Sequence, residues 1–244
     1  LKTGRTAHRR QVALEVLPLD LRPVDGYYSI YHPARPATGT SKHGIPESRY
    51  RAELDDMVRH GLNTVSLYGG FETLHYARDA GMTQAPCIMS WPGGRDYLKQ
   101  VEAAKAMGFA DLLYYGIDEA GTPEQIEKCR KEAERRRRIG LKTLTAISVP
   151  RAAWEGLRDV IEYPVLINHV YGGKDTAYAR ERGHCPVSYW MTSCTFPMWF
   201  RAYAGLYNTA RGFRGTMPWS YTDHTDPMLK YDPDAGSHQV TYPD

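Results

Sequence analysis

Asp118 and Glu119 are adjacent carboxylates that close an apolar run, Leu112-Leu113-Tyr114-Tyr115-Gly116-Ile117, just ahead of a helix start. Two carboxyl groups in one pocket can divide a hydrolysis, one protonating a leaving oxygen and the other stabilising positive charge. Side chains alternate along a strand, so the simplest alternative has one acid facing inward while the other is a surface residue or helix cap. The cap is already supplied, because Thr122-Pro123-Glu124-Gln125 places a capping Thr, a first-turn Pro and a capping-box Gln. An acid pair with no capping duty at the end of a strand is a candidate active site.

The elements that must position the pair recur along the chain. Strand-like segments fall at 27–31, 63–68, 85–91, 111–117, 142–148, 163–170, 185–191 and 215–221. Helix-like segments lie between them at 46–60, 72–81, 94–108, 123–139, 151–160, 174–182 and 197–211. Glycines punctuate the helix ends, as at Gly61, Gly81, Gly108, Gly140 and Gly183. Such alternation predicts a parallel sheet. Tyr31-His32-Pro33-Ala34-Arg35-Pro36 after the first strand carries no phosphate-binding glycine pattern, which favours a closed barrel over an open nucleotide-binding sheet. The expectation is an α/β fold, a single-domain (β/α)8 TIM barrel over 1–244, with 1–26 as a lead-in segment and 222–244 as an irregular tail.

Composition narrows the function classes. The 244 residues carry 31 Lys plus Arg against 28 Asp plus Glu, a net charge of +3 that gives no case for a nucleic-acid partner. The Arg135-Arg136-Arg137-Arg138 run reads as a solvated helix face near a C-terminus rather than an anion site. No window reaches the roughly 20 apolar residues of a membrane span. Cys87, Cys129, Cys185 and Cys194 show no metal or redox spacing, and 223–234 matches neither a zinc nor a calcium pattern. No metal and no cofactor is expected. The chain holds 18 Tyr and 5 Trp against 5 Phe, flat faces with hydrogen-bonding edges that suit sugars.

In a parallel barrel the site lies at the C-terminal ends of the strands. Polar and aromatic residues there include Tyr31 and His32, with Asp118 and Glu119 as the catalytic pair. Tyr68, Trp91, His169, Tyr171, Tyr189, Trp190, Trp219, Tyr221 and Asp223 are the candidate substrate-binding residues. The seventh strand ends Val187-Ser188-Tyr189-Trp190-Met191-Thr192 with no carboxylate that could serve as a nucleophile. A 2-acetamido sugar can attack its own anomeric carbon, an exception known within glycoside hydrolysis.

Here the chain resembles the catalytic domain of glycoside hydrolase family 123 and related uncharacterised bacterial domains. The resemblance rests on Gly61-Leu62-Asn63-Thr64-Val65, on Asp118-Glu119, and on the segment from Trp199 to Tyr221 with Gly205, Gly215 and Trp219. It implies a (β/α)8 barrel that acts on N-acetyl-β-galactosaminides by the substrate-assisted retaining route, on an oligosaccharide or glycoconjugate. Asp118 would be the acetamido stabiliser and Glu119 the general acid/base. It also implies a secreted or periplasmic setting, and a chain that is part of a larger one, since the β-sandwich domain that usually precedes the barrel is absent. Ala120 stands where relatives often have Pro. Two other readings compete: a glycosidase for a plain sugar whose second carboxylate is Asp223 or Glu72, and a non-catalytic carbohydrate-binding barrel.

Overall fold

The computed structural model describes residues 25–36, 43–89, 97–190 and 197–221. Eight parallel strands form one sheet: β1 (Tyr27–Tyr28), β2 (Ser66–Leu67), β3 (Cys87–Ile88), β4 (Leu113–Tyr115), β5 (Lys142–Ile147), β6 (Tyr163–Ile167), β7 (Val187–Tyr189) and β8 (Gly215–Thr216). Each falls within one of the eight expected segments. From β2 to β8 every strand pairs with its successor in sequence, and β8 pairs with β1, so the eight strands curl into a (β/α)8 barrel whose one seam, between β1 and β2, carries no strand pairing among the described residues.

The remaining seam, between β1 and β2, is joined largely by side chains. Tyr28 N donates to Asn63 Oδ1 at 3.0 Å and Asn63 Nδ2 donates to Gly26 O at 2.9 Å. The backbone N of Asn63 donates to Tyr28 O at 3.0 Å, and His32 N donates to Ser66 Oγ at 2.9 Å. Asn63 thus works as a structural clasp within the Gly61–Val65 stretch.

Helices cover the outside: α1 (Glu47–Arg59), α2 (Leu74–Asp79), α3 (Tyr97–Ala106), α4 (Pro123–Arg138), α5 (Arg151–Leu157), α6 (Lys174–Glu181) and α7 (Pro197–Ala202). A 3-10 turn, Phe71–Thr73, leads into α2, and α7 runs on through a π-helical stretch, Tyr203–Tyr207, into Asn208–Ala210. A two-stranded parallel pair, Arg35–Pro36 with Gly44–Ile45, adds to the expected elements. The predicted capping box on α4 is present, with Gln125 N donating to Thr122 Oγ1 at 3.2 Å and Thr122 N donating to Gln125 Oε1 at 3.1 Å. All five helix-ending glycines named above adopt positive φ.

The arginine run departs from its expected solvated face at one position. Arg136 is buried and donates from Nη1 to Tyr115 O at 3.0 Å, tying α4 to the end of β4. Its head serves a backbone carbonyl, and burial pushes its pKa down. Arg137 is exposed and pairs with Glu162 at 2.7 Å.

Side chains fill the interior with the period of two that strands impose. Leu113 of β4, Leu144 of β5, Val165 of β6 and Val187 of β7 belong to one buried cluster in the barrel interior. Tyr31, Tyr68, Met89, Tyr115, Tyr189 and Trp219 lie one layer nearer the C-terminal ends. Intervening residues, such as Leu67, Tyr114 and Leu166, face the helices.

Candidate active site

That last interior layer is the floor of a cavity of about 230 Å³. Tyr31, Tyr68, Met89, Tyr115, Ala146, Tyr189 and Trp219 line it from seven strands or strand ends, and Asp118 and Glu119 complete its lining. Both acids therefore face the same space. The alternation that should separate them is broken by Glu119, whose φ of +44° is left-handed. A non-glycine residue held there costs about 1–2 kcal/mol, a cost that persists only where the surroundings impose it.

The surroundings are visible. Beyond β4 the acid-bearing loop is stitched to β5: Gly116 N donates to Leu144 O at 2.8 Å, Thr145 Oγ1 donates to Ile117 O at 2.7 Å, and Glu119 N donates to Ala146 O at 3.2 Å. Gly116 permits this approach, since a Cβ there would lie 2.8 Å from Thr145 Cβ.

Asp118 accepts a hydrogen bond from the Tyr115 hydroxyl at 2.6 Å, and that hydroxyl lies 2.8 Å from the Tyr31 hydroxyl. Tyr31 is the hub of the floor, its ring centroid 6.2 Å from Tyr115, 6.0 Å from Tyr189 and 5.4 Å from Trp219. Burial pushes the Tyr31 and Tyr115 hydroxyls well above the usual tyrosine range. Burial, then the charge of Asp118, raises Tyr68 as well. Tyr189 is pushed up to about 12 by burial and by the charges of Glu119 and Asp118. All four hydroxyls are protonated donors at neutral pH. Among the described residues the lining contains no lysine, arginine, histidine or cysteine.

Of the residues expected from sequence, Asp118, Glu119, Tyr68, Tyr189 and Trp219 come together here. Trp190 follows Tyr189 and points the other way, into a separate cavity between β1, β8, α1 and the π-helical stretch after α7, with its ring 6.0 Å from Tyr203. Tyr221 is buried, donates to Asp56 Oδ2 at 2.7 Å and lines that second cavity. Tyr171 is fully buried beside Trp154, with Arg151 over its ring at 5.3 Å. His169 is exposed just beyond β6 and does not line the cavity. Glu72 is exposed on the 3-10 turn before α2, also outside the lining. Trp91 and Asp223 lie outside the described residues.

Tyr115 and Met89 belong to the site although they were not singled out, and Tyr31 was named only as a strand end. Their signal is parity: Tyr115 lies two residues past Leu113, and Met89 two past Cys87, so each continues an inward-facing row.

No family model and no curated protein matches the sequence. Among solved structures the chain is similar to a glycosyl hydrolase family 2 member from Bacteroides cellulosilyticus DSM 14838, at 11% identity and a TM-score of 0.52, covering 83% of this chain and 30% of that one. The chain thus spans less than a third of that protein's length. It is also similar to the HMG-CoA lyase from Brucella melitensis, at 14% identity and a TM-score of 0.43, covering 81% of this chain and 82% of that one. A monomeric dihydrodipicolinate synthase variant matches at 10% identity and a TM-score of 0.41, covering 81% of this chain and 71% of that one. These likenesses concern the barrel alone, a fold that hosts many chemistries.

Proposed function

We propose that the protein is a retaining glycoside hydrolase for β-linked 2-acetamido sugars, of the N-acetyl-β-galactosaminide kind, working through the substrate's own acetamido group. The observation that carries this reading is the left-handed turn at Glu119, which sets two consecutive carboxylates in one aromatic-lined cavity. Within the described lining these are the only carboxylates, so a separate enzymic nucleophile has no residue there.

The roles divide by environment. Asp118 has Oδ1 bound to Tyr115, leaving Oδ2 to accept the acetamido N–H and orient its carbonyl oxygen toward the anomeric carbon. Glu119 donates its proton to the glycosidic oxygen as the C–O bond breaks and the acetamido oxygen bonds to the anomeric carbon, giving an oxazoline-type intermediate. Glu119, now a carboxylate, takes a proton from water, whose oxygen attacks the same carbon and restores the acetamide with net retention. Trp219 and the tyrosine hydroxyls offer a stacking face and donors for the ring.

The test pairs chromogenic β-glycosides that differ only in a 2-acetamido or 2-hydroxyl group, with a thiazoline analogue of the intermediate as inhibitor. Turnover confined to acetamido sugars and blocked by the thiazoline supports the reading. Turnover of plain glycosides would transfer it to a hydrolase using another carboxylate, and sugar binding without turnover would leave a binding barrel.

A further inference from the structure

We infer that Tyr31 is a positioning residue that acts on Asp118 through the hydroxyl of Tyr115, an inference that rests on the substrate-assisted reading above. A tyrosine hydroxyl has one proton to give and two lone pairs to fill. The Tyr115 oxygen lies 2.6 Å from Asp118 Oδ1, 2.8 Å from the Tyr31 hydroxyl and 3.4 Å from Ala146 N. An ionised carboxylate only accepts and a backbone N–H only donates, so Tyr115 gives its proton to Asp118. It then accepts from Ala146 N, and the bond with Tyr31 is left one direction: Tyr31 donates to Tyr115. The chain Tyr31 to Tyr115 to Asp118 crosses the interior from β1 to the loop after β4 with no ambiguity of direction.

Packing keeps the first link in place. The Tyr31 ring is edge-on to Tyr115 and Tyr189, at 80° and 89°, and tilted at 49° against Trp219, which restrains its swing away from Tyr115. Each bond in such a chain polarises the next. Asp118 is thereby held with one oxygen occupied, suited to orienting an amide rather than to passing protons. The proton transfers fall to Glu119, whose carboxyl has no hydrogen-bond partner among the described residues. Tyr31 thus serves the reaction from across the barrel.

Tyr31→Phe keeps the ring and removes one hydroxyl. On a β-N-acetylgalactosaminide, Tyr31→Phe should lower kcat about tenfold with KM changed less than about twofold, the effect of one net hydrogen bond expressed after binding. Tyr115→Phe should lower kcat further, and adding Tyr31→Phe to it should change kcat no more, because the link is already cut. Unchanged kcat in Tyr31→Phe, or independent multiplicative losses in the double variant, would overturn the inference. If the wild-type protein turns over no acetamido sugar, the functional reading fails by itself, and the chain is judged by melting temperature instead. Non-additive losses for Tyr31→Phe combined with Asp118→Asn would keep it, and additive losses would remove it.

Discussion

Tyr115 and Asp118 are three residues apart and joined hydroxyl to carboxylate at 2.6 Å, so the strand that carries the acid loop also fixes one of its acids. Arg136 holds the carbonyl of the same Tyr115 from the helix side at 3.0 Å. The acid pair therefore hangs from a residue anchored on both faces of the sheet. Glu119 shares the cavity without that tether. Unequal restraint within a matched pair is what a division into orienting and proton-transferring roles requires.

Asp118→Asn and Glu119→Gln should each reduce kcat on an acetamido substrate at least about a hundredfold. They should differ in leaving-group dependence. An aryl leaving group of low pKa needs no proton, so Glu119→Gln should recover much of the bond-breaking step on such substrates. Asp118→Asn should not, since its defect precedes the leaving group. Single-turnover rates across a series of aryl glycosides measure this, and equal slopes for the two variants would count against the assignment.

Glu119→Gly should leave the protein no less stable while removing turnover. Relief of the left-handed backbone is worth about 1–2 kcal/mol, and the added freedom of glycine in the unfolded chain costs about 0.5–1 kcal/mol. The expected net change is from about zero to about +1.5 kcal/mol by urea unfolding. Glu119→Gln keeps the strain and should match the wild type. A large loss in Glu119→Gly would mean that the side chain contributes stability unrelated to the turn.

Much of the barrel was legible because its signals are local. Hydrophobic runs, Gly61 and its counterparts after other helices, and the Thr122–Gln125 cap each act within a few residues, and each stands in the structure as read. The acid pair was legible for the same reason, as two charges ending an apolar run. The site was less so, because which aromatic faces the cavity depends on strand parity and on partners distant in sequence. Trp190 differs from Tyr189 only by one step of alternation, and Tyr221 is drawn away by Asp56, which is 165 residues earlier. The burial of Arg136 had no signal inside its run, since its partner is a carbonyl on another element. The conformation of Glu119 had none either, because the bonds that hold its loop come from β5, more than twenty residues later.

Acidification should destabilise the fold through His184. This residue is buried, and burial lowers its folded pKa, while the unfolded chain titrates near the ordinary value of about 6.5. Below about pH 6.5 the unfolded state binds a proton that the folded state does not, so stability falls as pH falls, until the lowered folded pKa is reached. The slope from one such group is at most about 1.4 kcal/mol per pH unit. Urea unfolding of the wild type and His184→Gln between pH 7.5 and about 5 should show a flatter profile in the variant. Parallel profiles would mean that His184 is not responsible.

The charge of the cavity should select its ligands. Its described lining has two carboxylates and no cationic side chain, set among the faces of Tyr68, Tyr189 and Trp219. Both the carboxylates and the aromatic faces favour positive charge. The proposed reaction develops such charge at the anomeric centre, so the same field that stabilises the oxazolinium should favour a cationic mimic. A piperidine carrying the acetamido group should bind at least about tenfold more tightly when protonated than a neutral acetamido sugar of the same size. Its affinity should fall with rising salt and with deprotonation of the amine. Sugars bearing a sulfate or carboxylate should bind more weakly than their neutral parents, because the added anion meets the acid pair with no cationic side chain in the described lining to offset it. Calorimetric titration of the three ligand types decides the point, and tighter binding of the anionic sugar would show that the cavity is not the field described by Asp118 and Glu119.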